Sequence, residues 1–149
     1  MRLTLHTDYA LRVLVHVGLE EGRLVTISEI AERFAISKNH LTKVVHQLGK
    51  AGYLTTVRGK FGGIRLRLPP DAVRLGALIR DTEEGFGLVP CERGECGEGD
   101  GEACKIQSHC VGRKALAEAV DVFFASLDRY TLADLLAVES GAHPEVYGA

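Results

Sequence analysis

The strongest constraint on how this chain can fold is a helix that runs into a hairpin. Leu41, Val44, Val45 and Leu48 recur at helical spacing from about Asn39 to Ala51, and Gly52 stands where a glycine ends such a helix. Two short β-rich runs follow, Tyr53 to Val57 and Ile64 to Leu68. Between them lies Arg58-Gly59-Lys60-Phe61-Gly62-Gly63, a glycine-rich hairpin tip, and Pro69-Pro70 closes the unit. Upstream, Thr7 or Asp8 opens a helix through Leu19, with Tyr9, Ala10, Val13, Leu14 and Val17 on one face. Thr26 to Ala35 reads as a second helix, with Ser28 as N-cap and Ile27, Ile30, Ala31 and Phe34 as its stripe. Ile36-Ser37-Lys38 is then a tight turn. Two helices, a turn, a third helix and a hairpin make a winged helix-turn-helix.

Further along, Leu75 to Glu83 reads as a helix, Gly85 to Ala103 as loop, Cys110 to Leu127 as a long helix and Thr131 to Val138 as a short one. The expected fold is mainly α with a small β wing. The expected division is 1–70 for a DNA-binding domain, 71–109 for a connecting helix and cysteine-rich loop, and 110–149 for a dimerisation helix and tail. The long helix carries Val111, Ala115, Leu116, Ala119, Val120, Phe123, Phe124 and Leu127, too apolar a stripe for a lone surface helix. It calls for a partner, either the first domain or a second copy of the chain.

The 149 residues are 46% hydrophobic and 26% charged, which excludes wholesale disorder. No run approaches the roughly 18 apolar residues of a membrane span. Arg2, His6, Asp8 and Arg12 break up the first fifteen residues, so they do not read as a signal peptide, and a cytoplasmic location is expected.

A net charge of −2 conceals a strong asymmetry. Ser37 to Leu68 holds seven Lys or Arg and no acid, whereas Asp81 to Glu102 holds eight acids against Arg93 alone. The first stretch is built to face anions. The third helix leaves Lys38, His40, Thr42, Lys43, His46 and Gln47 opposite its apolar stripe, groups that can hydrogen-bond phosphates and base edges. All of these but Gln47 are expected to touch DNA, and so is Asn39. Ser28 and Ser37, at helix starts, join them as candidate DNA contacts. Arg58 and Lys60 sit on the hairpin tip, where a cation suits the narrow minor groove of A·T-rich DNA.

All four cysteines, Cys91, Cys96, Cys104 and Cys110, fall within twenty residues. A local cluster of this kind reads as a metal site. Paired C-x-x-C knuckles are absent, and irregular spacing on a Gly-rich loop suits an iron–sulfur cluster better than zinc, with a redox dithiol as a third option. His109 is a further possible ligand, though a histidine beside a cysteine is more often simply solvated.

The residues then show a family resemblance. Arg2-Leu-Thr, Thr7-Asp-Tyr-Ala-Leu-Arg12, Ile36-Ser-Lys-Asn-His-Leu-Thr-Lys-Val-Val-His-Gln-Leu48, Gly52-Tyr-Leu and Arg58-Gly-Lys-Phe-Gly-Gly63 carry it, with Leu88-Val-Pro-Cys91, Cys104 to Cys110 and Tyr130-Thr-Leu-Ala-Asp-Leu135. The chain resembles the Rrf2 family of winged-helix iron–sulfur transcription regulators, and within it the nitric-oxide-sensing branch. The resemblance implies a homodimeric repressor with one four-iron four-sulfur cluster per subunit. Its operator would be two-fold symmetric, and nitric oxide would release it from genes of nitric-oxide detoxification. It also implies three cysteine ligands and an aspartate from the other subunit, here Asp8. This chain has a fourth cysteine: Cys104 and Cys110 fit the pattern, Cys91 is favoured as the first ligand, and Cys96 is the alternative. Asp8 also has a plain local use as an N-cap or as the i,i+4 partner of Arg12. A sensor of iron–sulfur status in the same family would carry a histidine shortly after the third cysteine, and Val-Gly-Arg-Lys follows Cys110 instead. A zinc-stabilised DNA-binding protein and a small electron carrier are the readings from outside this class. No phosphate loop, nucleophile motif or acid/base pair suggests an enzyme.

Overall fold

The structure, a computed structural model, describes residues 2–20, 22–89, 91 and 109–139. In chain order the elements are α1 (Leu5–Leu19), α2 (Ile27–Phe34), α3 (Lys38–Ala51), β1 (Leu54–Val57), β2 (Gly63–Leu66), a 3-10 turn (Pro70–Ala72), α4 (Leu75–Thr82), α5 (Val111–Leu127) and α6 (Leu132–Glu139).

α1 lies at the centre, with Ala10, Val13, Leu14 and Val17 buried. It starts before the expected Thr7 because Thr4 is the cap: its Oγ1 accepts the Thr7 N–H at 3.4 Å. Glu83, at the far end of α4, accepts the Thr4 N–H at 2.7 Å and so fixes the chain entering the helix. α2 is capped by Thr26, not by Ser28. Thr26 Oγ1 accepts the Glu29 N–H and Glu29 accepts the Thr26 N–H, a reciprocal capping box that Ser28, two residues further in, has no geometry to make. The turn into α3 passes through Ala35 at φ +52°, the one non-glycine positive φ among the described residues. Ser37 caps α3, and Gly52 ends it at φ +89°.

β1 and β2 pair antiparallel, Leu54 opposite Leu66 and Val57 opposite Gly63. A third segment joins them. Val25 donates to the Ile64 carbonyl at 3.0 Å and accepts from the Ile64 N–H at 2.8 Å. Both side chains belong to the core with Ile30, Leu41, Leu48 and Leu54. The wing is therefore fastened to the residue just ahead of the α2 cap. The approach is close: a Cβ at Gly63 would lie 2.7 Å from the Val25 carbonyl oxygen.

The C-terminal arm comes back to α1. Leu132 donates to the Val73 carbonyl at 2.8 Å, both side chains are buried, and Leu136 of α6 covers Gly18 so closely that a Cβ there would meet it at 2.8 Å. α5 is clamped to α4 near its own C-terminus. Arg80 reaches both oxygens of Asp128, at 3.1 and 2.8 Å, and lies 4.2 Å above the Phe124 ring. Phe124 is the only buried residue of α5, packed edge-on against Phe86; Val111 and Val122 of the same helix are 79% and 69% exposed.

Two outcomes follow. Gly63→Ala forces a methyl group onto the Val25 carbonyl and is expected to cost about 1–3 kcal/mol in urea unfolding, an overpacking effect. His16 is buried at the end of α1, edge-on to Phe34, with its Nε2 unpartnered. Burial, then the nearby Arg33, hold its pKa below 6.5. The unfolded chain therefore takes up the proton first. Stability is complete above pH 6.5 and falls as pH drops from there toward the lower folded-state value. Unfolding curves across that window check it: His16→Leu should flatten this part of the pH profile.

Candidate nucleic-acid interface and cysteine segment

Lys38, Asn39, His40, Thr42, Lys43 and His46 are all exposed on the face of α3 opposite Leu41, Val44, Val45 and Leu48. Two of the hydroxyls are already engaged. Ser37 Oγ accepts the His40 N–H at 3.3 Å, and Thr42 Oγ1 donates to the Lys38 carbonyl at 2.8 Å. The cations and His46 are the free reach of this face; the His40 ring lies 6.2 Å from that of Tyr9. Ser28 is half-buried in the first turn of α2, and Arg58 and Lys60 stand exposed on the wing. Elsewhere Arg12, Arg23, Arg80 and Lys114 each sit against a carboxylate. Among the described residues, none of the seven cations between 37 and 68 does. An unneutralised cationic surface spanning a helix and a hairpin is an anion-binding face.

Behind α3 an open groove of about 1140 Å³ separates this face from the start of the cysteine segment. Lys43, His46, Gln47 and Lys50 form one wall, and Asp81, Glu83 and Glu84 the other. Two hydrogen bonds tie α4 to the α3–wing unit here, and Glu83 is held separately by the start of α1. Gln47 Nε2 donates to the Asp81 carbonyl at 2.6 Å, and the Tyr53 hydroxyl donates to Asp81 Oδ2 at 2.7 Å. Glu83 accepts from the Thr4 N–H, the Thr4 hydroxyl and the buried Thr7 hydroxyl, which is also hydrogen-bonded with Thr82. Burial pushes the Glu83 pKa up, but these donors outweigh it and hold the carboxyl below its ordinary value. Burial and the Asp81 carboxylate together raise the Tyr53 phenol, which stays protonated as the donor. Sequence reasoning missed these links. Gln47 read only as an outward residue, and partners 28 to 79 positions apart leave no local signal.

Cys91 and Cys110 are free thiols and partly buried. Cys110 caps α5, its Sγ accepting the Arg113 N–H at 3.4 Å. Cys96 and Cys104 lie outside the described residues. Among the described residues no three His, Cys, Asp or Glu side chains gather as metal ligands. Asp8 sits in the first turn of α1, bound to Arg12 Nε at 2.9 Å. Two unpaired thiols, one at a helix start that donates an N–H to sulfur, are the donor chemistry that iron–sulfur ligation uses.

A basic recognition helix, a wing fastened beside it and thiols downstream define a winged-helix DNA-binding regulator. The profile described as "Rrf2: Iron-dependent Transcriptional regulator" matches residues 3–138, and the chain belongs to that family. It is 47% identical over 137 residues to the HTH-type transcriptional regulator NsrR of Geobacillus kaustophilus, covering 91% of this chain and 90% of that protein. Its fold matches the oxidised form of Staphylococcus aureus CymR with a TM-score of 0.69 at 26% identity, over 91% of this chain and 96% of that one. T. potens IscR has the same fold, with a TM-score of 0.72 at 22% identity, over 100% of this chain and 93% of that one. Both the family and the winged-helix fold agree with what the sequence leads one to expect.

Tyr53→Phe removes the hydroxyl that holds Asp81 and is expected to cost about 1.5–3 kcal/mol, the range for a hydrogen bond to a charged acceptor. Equilibrium unfolding checks this; an unchanged midpoint would mean that solvent replaces the bond without loss.

Proposed function

We propose that this chain is a homodimeric repressor that holds an iron–sulfur cluster and leaves its operator when nitric oxide is present. The observation that carries this reading is the pairing, in one chain, of an unneutralised cationic winged helix with two free thiols, Cys91 and the α5 cap Cys110. The 47% identity to a protein named NsrR supports the choice of signal. Residues 1–70 would bind DNA through Ser28, Ser37, Lys38, Asn39, His40, Thr42, Lys43, His46, Arg58 and Lys60, without enzymatic activity and in the cytoplasm. Residues 71–109 would carry the cluster loop, and the exposed apolar face of α5 within 110–149 would be covered by a second copy.

Cys91, Cys104 and Cys110 would hold a four-iron four-sulfur cluster, with Asp8 of the opposite subunit as fourth ligand and Cys96 spare. When bound, such a cluster supplies iron that reacts with nitric oxide. The chain's own residues do the rest. The Asp8–Arg12 pair is exposed and one helical turn long, worth only about 0.3–0.5 kcal/mol, so it is no obstacle to Asp8 turning toward a metal. The cysteine segment departs from the end of α4, whose Asp81 is held by Gln47 of the recognition helix and by Tyr53 at the wing root. A change in ligation there pulls on both parts of the DNA face. A two-fold operator demands a fixed spacing between recognition helices, so a small shift suffices to release it.

The test is visible absorbance of protein purified without oxygen, titrated with nitric oxide while binding to its own promoter fragment is followed. A broad band near roughly 400 nm that bleaches as DNA is released is the expected result. Cys104→Ser and Cys91→Ser should lose the band and the response while keeping the far-ultraviolet circular dichroism of the folded chain, and Cys96→Ser should keep both. Colourless protein with tightly bound zinc would overturn the sensor and leave a zinc-stabilised DNA-binding protein. Loss of the band in Cys96→Ser with retention in Cys91→Ser would exchange their roles.

A further inference from the structure

Phe61 is the most exposed of the large hydrophobic side chains among the described residues, at 86%. A single exposed apolar residue ordinarily needs no explanation. This one stands at the tip of the wing, on a backbone that only glycine permits. Gly59 has φ +118°, the Gly62 N–H closes the turn on the Gly59 carbonyl at 3.0 Å, and a Cβ at Gly62 would fall 2.3 Å from the Val57 carbonyl oxygen. The turn is thereby fixed. Its glycines also leave no neighbouring side chain large enough to cover the ring. Among the described residues the one charged group over the ring is the Lys60 ammonium, 5.6 Å from its centroid. The hairpin carries Arg58, Lys60, Arg65 and Arg67 and no acid.

We propose that Phe61 is a minor-groove wedge. The wing tip enters the groove with Arg58 and Lys60 toward the phosphate walls and the Phe61 ring against the base edges, where it opens a step and bends the duplex. The inference rests on the reading of this face as a DNA reader and adds a residue to which that reading assigns nothing. The chemistry selects the occupant. A cation-flanked aromatic on a rigid, narrow hairpin matches a groove with negative walls and a stackable floor, and apolar side chains inserted between base steps are how proteins kink DNA from that side. A second copy of this chain would bring the same uncompensated cations to the contact and be repelled. Flexible pyrimidine–purine steps are the cheapest to open, so the wedge contributes sequence preference at a position with no hydrogen-bonded base.

The experiment uses the full chain, purified without oxygen, and a duplex that the wild-type protein has selected from a random pool. Phe61→Ala, Phe61→Leu and Lys60→Ala are compared for affinity against salt, for duplex bending by end-to-end energy transfer, and for 2-aminopurine fluorescence at each step under the wing. Phe61→Ala is expected to weaken binding about tenfold, the size of one base–aromatic contact, with the salt slope unchanged. It should also lose the bend and the 2-aminopurine signal, and Phe61→Leu should recover part of each. Lys60→Ala should instead lower the salt slope by about one. The thermal midpoint of Phe61→Ala should match wild type, since the ring packs against no core residue. If wild type binds with a steep salt slope and Phe61→Ala matches it in affinity and bend, the wedge is wrong and the DNA reading stands. An affinity loss with an unchanged bend would also overturn it. Wild-type binding that ignores salt would overturn the DNA-binding reading and the wedge with it.

Discussion

Two hydrogen bonds between Val25 and Ile64 hold the wing to the helices it serves. A hairpin with four residues per strand is marginal on its own. Here β2 pairs with β1 on one side and with Val25 on the other, and Ile64 enters the same core as Ile30, Leu41 and Leu48. Val25 is followed at once by Thr26, the cap of α2. Wing and helix-turn-helix therefore start from a single joint, and the relative position of Arg58, Lys60 and the α3 face is set there. Gly63 is the condition for it, because any side chain would collide with the Val25 carbonyl.

What could be read in the sequence follows from how local each signal is. α3 and the wing were legible because periodicity, Gly52 and the glycine tip lie within one stretch of chain, and they appear within a residue or two of expectation. The acid-free run from Ser37 to Leu68 foretold a surface whose cations find no internal partner. Helix starts were less legible. Thr4 was passed over because the carboxylate that secures it, Glu83, is 79 residues away. Ser28 and Thr26 are both good caps by type, and only the reach of Glu29 back to the Thr26 N–H decides between them. Phe61 lies in the same tip, yet charge patterning picks out Arg58 and Lys60 and is blind to an apolar side chain left in solvent.

Electrostatics also divide the molecule by use. The carboxylates of Asp8, Glu20, Glu29 and Asp128 neutralise arginines of their own or a packed element. Those of Asp81 and Glu83 take hydroxyl and backbone donors instead, which fix position without cancelling a cation. Asp81 and Glu83 line the same groove as Lys43, His46 and Lys50, but neither forms an ion pair with them, so the outer α3 and wing surface keeps its unpaired positive charge.

Both ends of the cysteine segment are tied to one short helix. The chain leaves α4 at Glu83, which is gripped by Thr4 and Thr7 of the α1 start. Beyond the cysteine segment α5 begins at Val111, capped by Cys110, and that helix is locked back onto α4 at its far, C-terminal end through Arg80, Asp128 and Phe124. Gly76 permits this clamp, since a Cβ there would meet Asp128 Oδ1 at 2.1 Å. α4 in turn touches the DNA-facing unit through Asp81, by way of Gln47 and Tyr53. In the proposed regulator a rearrangement of the thiols would act through this eight-residue helix, whose Leu75, Leu78 and Ile79 are buried and whose Leu78 belongs to the central core. Besides that packing, its polar ties to the DNA-facing unit are two hydrogen bonds, one to a neutral carbonyl and one to a carboxylate, of about 0.5–3 kcal/mol each. A shift of α4 would then reach the recognition helix through Gln47 and the wing root through Tyr53.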